Sequence, residues 1–160
     1  MDILYFAKCN EKAVIPTKRD EDAGFDIYPC FDENYIAIRP HETVLIPTGL
    51  CSAFSSDYVM ILKERGSTGT KGIGQRCGVI DSGYRGEIKV PITNHNDVML
   101  FIGDVPNALT GGVIVYPKTK AICQALMLPV PKIAIKEISN GELQAISSER
   151  GSGAWGSSGK

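Results

Sequence analysis

Apolar residues along this chain rarely keep a helical period. They gather instead in short runs: "ILYF", "YIAI", "TVLIP", "YVMIL", "EIKVPI", "VMLFI", "GVIVYP", "AICQALML" and "KIAIKEI". Gly, Pro, Asn or Asp punctuates nearly every gap. Such runs, rich in β-branched and aromatic residues, predict many short strands in an all-β sandwich or barrel. Pro91 in "EIKVPIT" has no N–H for a ladder, which predicts an edge strand or a bulge there. A short helix fits near Ser67 to Ile73, weakened by its glycines. Between Asn94 and Lys120 a Gly/Asn/Pro centre separates two apolar runs, which predicts an inserted or extended hairpin.

Composition narrows the classes. The 160 residues suit one domain able to bury a core without staples. A net charge of −1 argues against nucleic-acid binding by a bulk positive field, and against a polybasic membrane surface. No apolar run approaches the ~20 residues of a membrane helix. The start, "MDILYFAKCN", lacks the charged region and cleavage site of a signal peptide. The five cysteines are odd in number, widely spaced and free of Cys-x-x-Cys. They read as reduced thiols of a cytoplasmic protein, most of them buried as small hydrophobes. His41 and His95 alone, far apart, argue against a zinc site.

The last stretch, "RGSGAWGSSGK", changes character, so the chain divides into a β-domain over 1–149 and a Gly/Ser-rich arm over 150–160. A disordered end is the plain reading. Arg150 and the single tryptophan, Trp155, disturb it, because an arm that closes over a flat ligand gains from an indole. Two Gly-rich segments invite comparison with a phosphate-binding P-loop, and neither has its spacing. "ERGSTGTKG" can still offer backbone N–H groups and the cations Arg65 and Lys71 to an anion, or be an ordinary surface loop.

In "CGVIDSGYRGEI", Asp81 follows an apolar pair and Tyr84 and Arg85 sit between Gly83 and Gly86. Ser82-Gly83 reads as turn chemistry with a glycine free to take positive φ. Taken singly, Asp81 is a turn acid and Tyr84 a half-buried cross-strand residue. Gln124, an amide inside an apolar strand, either faces outward or is a positioned donor, since an unpartnered buried amide costs about 1–3 kcal/mol.

In order along the chain, these segments resemble the trimeric dUTP diphosphatases (dUTPases). "AGFDI" resembles the first family motif, "RGSTG" the second, "GVIDSGYRG" the third, "AICQAL" the fourth and "RGSGAWGSSG" the fifth. The resemblance implies a jelly-roll-like β-barrel with at most one short helix, assembled as a homotrimer with shared active sites. It implies hydrolysis of dUTP to dUMP and pyrophosphate by in-line attack of water on the α-phosphorus. Asp81 would serve the water, Tyr84 would pack under the deoxyribose, and backbone groups between Gln75 and Tyr84, at Gly78, Val79 and Ile80, would pair with uracil. The segment Arg65-Gly66-Ser67-Thr68-Gly69 would hold phosphate oxygens, and Gln124 the α-phosphate region. Arg150 would reach the terminal phosphates, with Trp155 stacked over uracil beside Gly156 and Ser157. Mg²⁺ would be held by phosphates and water, with Asp26 touching it through water and no direct protein ligand.

The chain departs from the family pattern in three places: Gly66 splits the usual Arg-Ser of the second motif, Ala121 stands where the fourth often has Arg, and the segment from Asn94 to Lys120 is longer than the family usually needs. Rival readings are a dUTP-sensing regulator of the same fold and a dCTP deaminase relative. The deaminase would need a glutamate near the position of Pro91, where Glu87 comes too early.

Overall fold

The computed structural model describes residues 3–76, 78–106 and 112–153. Twelve short strands and two short helices follow in order: β1 (Tyr5–Lys8), β2 (Phe25–Ile27), β3 (Tyr35–Ile38), β4 (Thr43–Pro47), β5 (Leu50–Ala53), β6 (Tyr58–Lys63), α1 (Gly66–Gly69), β7 (Ile73–Gln75), β8 (Val79–Ile80), β9 (Lys89–Asn94), β10 (Leu100–Gly103), β11 (Ile114–Tyr116), β12 (Cys123–Pro129) and α2 (Asn140–Ala145). They form four small sheets, ordered β1-β5, β11-β10-β3, β2-β12-β6-β8 and β4-β9-β7. The architecture is the all-β, jelly-roll-like one. Alternation drives it: along β12, Cys123 and Ala125 are buried while Gln124 faces outward, half-buried. Inward residues of three of the four sheets, among them Ile27, Ile46, Met60, Ile92, Leu100 and Tyr116, meet in one core. Among the described residues no helix is long and apolar enough to cross a membrane.

Several expectations are corrected. β9 is a central strand with unbroken pairing to β4, Leu45 opposite Pro91. The proline is tolerated because its C=O, and therefore its missing N–H, points to the β7 side, where the ladder ends at Gln75 opposite Ile92 and only Arg76 N–H reaches the Pro91 carbonyl (3.0 Å). The segment from Asn94 to Lys120 is no hairpin, since β10 and β11 pair in parallel. "KIAIKEI" forms no strand: Ile133 and Ile135 are 78% and 99% exposed, and the alternating run has no sheet to join. A second helix, α2, was not foreseen. Its signal is the capping box Ser139-x-x-Glu142, in which each side chain bonds the other's backbone N–H. Of the thiols, Cys30 and Cys123 are buried, whereas Cys9 is exposed and Cys51 half-buried.

Candidate active site

The sheet β2-β12-β6-β8 carries Asp26, Val79, Ile80 and Gln124 of the predicted site residues. Gln124 pairs across with Asp26 on one side and Lys63 on the other. Beside this ladder opens a cleft of about 760 Å³, lined by Asp26, Arg65, Gly66, Ser67, Gln124 and the loop from Thr17 to Gly24. Gln124 Nε2 donates to the Glu64 carbonyl (2.9 Å), so the amide is both outward-facing and positioned. Gly24 makes room for it, because a Cβ there would stand 2.4 Å from Gln124 Oε1. This close approach is the physical content of the glycine in "AGFDI".

Arg65 is held from several sides. Its Nε lies 3.0 Å from Asp26 Oδ1 and Nη2 donates to Asp26 Oδ2 (3.4 Å). Nη1 donates to the Ala121 carbonyl (3.2 Å) and to Ser67 Oγ (3.4 Å). Asp26 therefore orients the guanidinium, a forked contact that a point-like ammonium would not reproduce. Thr68 is buried, with its hydroxyl donating to the Arg65 carbonyl (2.9 Å) and accepting from Arg65 N–H (3.1 Å). It pins α1 and, like Gly69, does not line the cleft. Sequence reasoning missed the loop "TKRDED", whose dense charge just before "AGFDI" was the available signal. There Arg19 forks onto Asp22 and draws that carboxyl below its ordinary value, by its side-chain hydrogen bond first, against a desolvation that raises it.

Asp81 and Tyr84 lie elsewhere. With Leu45, Val79, Ile80, Glu87 and Lys89 they line a second cleft of about 310 Å³. β8 is held to β6 by Gly78, whose φ of 137° and close approach to the Leu62 carbonyl exclude a side chain. The Gly78 carbonyl accepts from Leu62 N–H (2.7 Å), so that carbonyl is already engaged. Gln75 N–H donates to Glu64 Oε1 (3.3 Å) from the end of β7. After β8 the chain makes a turn closed by Tyr84 N–H to the Asp81 carbonyl (3.1 Å). Gly83 is not in the positive-φ region, so this turn does not need the freedom the sequence suggested. Nor is it a hairpin, since β8 pairs with β6 and β9 belongs to another sheet. Arg85 knits the loop from inside, its Nη1 donating to the carbonyls of Ser82 (2.6 Å) and Tyr84 (3.0 Å). Among the described residues the exposed Asp81 carboxylate meets no donor, which leaves it open to solvent or a ligand. Arg150 is exposed and donates to the Gly153 carbonyl (2.8 Å). Trp155, Gly156 and Ser157 lie outside the described residues.

An oxyanion-suited cleft, and a separate loop with an open carboxylate beside an exposed aromatic ring, suit an all-β protein that binds anionic, ring-bearing ligands. Comparison with known proteins makes this particular. The sequence profile of the dUTPase family matches residues 10–104. The deoxyuridine 5'-triphosphate nucleotidohydrolase of Nautilia profundicola is 34% identical, over 98% of this chain and 99% of its own. The fold superposes on the dUTPase of Staphylococcus bacteriophage 80alpha, solved with dUPNHPP, at a TM-score of 0.81, 23% identity and 99% coverage of both chains. It also superposes on a mutant dUTPase of phage phi11 of S. aureus, described as coordinating a structural Mg(II) ion, at a TM-score of 0.72 and 20% identity, covering 88% of this chain and 99% of that one. The chain belongs to the dUTPase family, enzymes that hydrolyse dUTP.

Proposed function

We propose that this chain hydrolyses dUTP as a homotrimer, each site assembled from the phosphate cleft of one subunit and the Asp81 loop of another. The observation that carries it is the separation within one chain: among the described residues none lines both the cleft of Arg65 and Gln124 and the cleft of Asp81 and Tyr84. A second support is the segment after β12. It leaves the body tied at its root, Val130 N–H to the Asp57 carbonyl (2.8 Å) and Lys132 Nζ to Asp57 Oδ1 (3.0 Å). Beyond that root Ile133, Ile135, Leu143 and Ile146 stand exposed, apolar surface that a second copy would cover.

In the assembled site Asp81 orients a water and takes its proton as the water oxygen bonds the α-phosphorus. The bond to the bridging oxygen breaks, pyrophosphate leaves and dUMP remains. Arg65, set by Asp26, and Ser67 hold phosphate oxygens, with Gln124 near the α-phosphate, and Arg150 adds charge when the arm closes. Tyr84 packs under the sugar and leaves no room for a 2′-hydroxyl. The donors fit Mg²⁺ bound through phosphates and water, since Asp26 already gives both oxygens to Arg65. When bound, the ion would neutralise charge on the phosphates. The thiols suit a reducing compartment, the cytoplasm.

The test is pyrophosphate release from a panel of dUTP, UTP, dCTP and dTTP, with Mg²⁺ and with chelator. Release from dUTP with Mg²⁺ alone is expected. Equal turnover of UTP would remove the role given to Tyr84, and deamination of dCTP would move the chain to the rival activity.

A further inference from the structure

The base of the Asp81 loop is gripped by the turn between β4 and β5. Thr48 Oγ1 donates to the Ile88 carbonyl (2.6 Å) and Ile88 N–H donates to the Leu50 carbonyl (2.8 Å). A further bond comes from the loop's own side chain: Gly49 N–H donates to Glu87 Oε1 (2.9 Å). Gly49, at a φ of 64°, is itself held from behind, its carbonyl accepting from Cys9 N–H (2.8 Å). Glu87 thus ties the Asp81 loop to the turn between β4 and β5.

That mooring reaches the ring. Tyr84 Oη–H donates to the backbone carbonyl of Glu87 (3.0 Å). The ring lies directly over Gly86, where a Cβ would sit 2.5 Å from Tyr84 Oη and 2.7 Å from Cζ. Tyr84 is 45% exposed, so its neighbours cover only part of the ring. Its hydroxyl is tied to residue 87 and its ring rests on residue 86, a segment that the Glu87 carboxylate helps to hold. Lys89 Nζ, 3.7 Å from Glu87 Oε2, adds a looser tether.

We infer that Glu87 is a positioning residue for Tyr84, and through it sets the discrimination between deoxyribo- and ribonucleotides. This rests on the reading of Tyr84 as the sugar platform. A platform that excludes a single hydroxyl must be held to a fraction of an ångström, because an adaptable surface would recede from it. The carboxylate acts at a distance from the phosphates, so its loss falls on selectivity more than on the chemical step.

The experiment compares kcat/KM for UTP and dUTP in the wild type and in Glu87→Ala, Glu87→Asp and Glu87→Gln, with thermal melting as a check on folding. Aspartate keeps the charge but falls short of Gly49 N–H by about 1.5 Å, one C–C bond. Glutamine keeps the length and an acceptor. Glu87→Ala and Glu87→Asp are expected to raise the UTP/dUTP ratio about tenfold, and Glu87→Gln to restore it to within about twofold of wild type. Should Glu87→Ala fail to fold, Glu87→Asp carries the comparison. A proportional loss of activity on both nucleotides, with the ratio unmoved, overturns the assignment and leaves Glu87 a structural residue. A wild type that does not discriminate overturns the underlying reading of Tyr84 instead.

Discussion

Two residues show how chemistry depends on a side chain's immediate company. Asp81 meets no donor among the described residues, so none of these competes for its lone pairs. Asp81→Asn keeps the volume and removes the proton acceptor. It is expected to bind dUTP, measured by titration with a non-hydrolysable analogue, while turnover falls by roughly 10²-fold or more. Wild-type turnover in that variant would return Asp81 to the status of a turn residue. Gly24 is the complementary case, a residue that matters for what it lacks. The methyl of Gly24→Ala would overlap Gln124 Oε1 and force the amide from the Glu64 carbonyl. Steady-state kinetics should show a several-fold rise in KM for dUTP, with the melting temperature shifted far less than by a core substitution.

At the scale of elements, Glu64 is where β6, β7 and β12 converge. Its carbonyl accepts from Gln124, while its carboxylate accepts from its own N–H and from Gln75 N–H and lies 3.7 Å from Lys63 Nζ. Those hydrogen bonds, its own N–H foremost, hold the carboxyl below the ordinary glutamate range, against a desolvation that pushes it up. A folded-state value below the unfolded one means stability that is present above the unfolded value, about pH 4.3, and is lost as pH falls through the folded one. Melting curves across that window should fall less steeply for Glu64→Gln, which has no proton to gain. Identical acid slopes in both proteins would show that the carboxylate contributes nothing to this junction. The side chain is partly exposed, so the effect is expected to be modest.

At the scale of the molecule, the arm and the assembly are separable. The segment from Gly151 onward has little apolar content apart from Trp155, whereas the exposed isoleucines all precede it. A chain cut after Glu149 should keep the oligomeric mass of the full chain by light scattering and lose most of its activity. Mixing that chain with Asp81→Asn under verified subunit exchange should restore activity that neither parent has, because the intact loop and the intact arm come from different subunits. Exchange without recovery would sink the shared site and leave each arm serving its own chain.

The sequence by itself determined the strand content, because alternation and punctuation are local properties that burial on one face of a sheet reads directly. It also determined the family, through five motifs in order, and so which residues to inspect: Asp26, Arg65, Asp81, Tyr84 and Gln124. Tertiary structure alone decided how strands associate. The central place of β9 depends on partners distant in sequence, the parallel pairing of β10 with β11 on the path the chain takes between them, and a proline's tolerance on where a neighbouring strand stops. "KIAIKEI" alternates like a strand yet has no sheet to join, since pattern encodes a face and not its partner. Gly24 against Gln124, Asp26 against Arg65 and Glu87 against Gly49 are contacts between segments far apart in the chain. No window of sequence contains them. They arise only when the fold brings separate elements within hydrogen-bonding reach, which is also why Glu87 escaped a reading that found Tyr84.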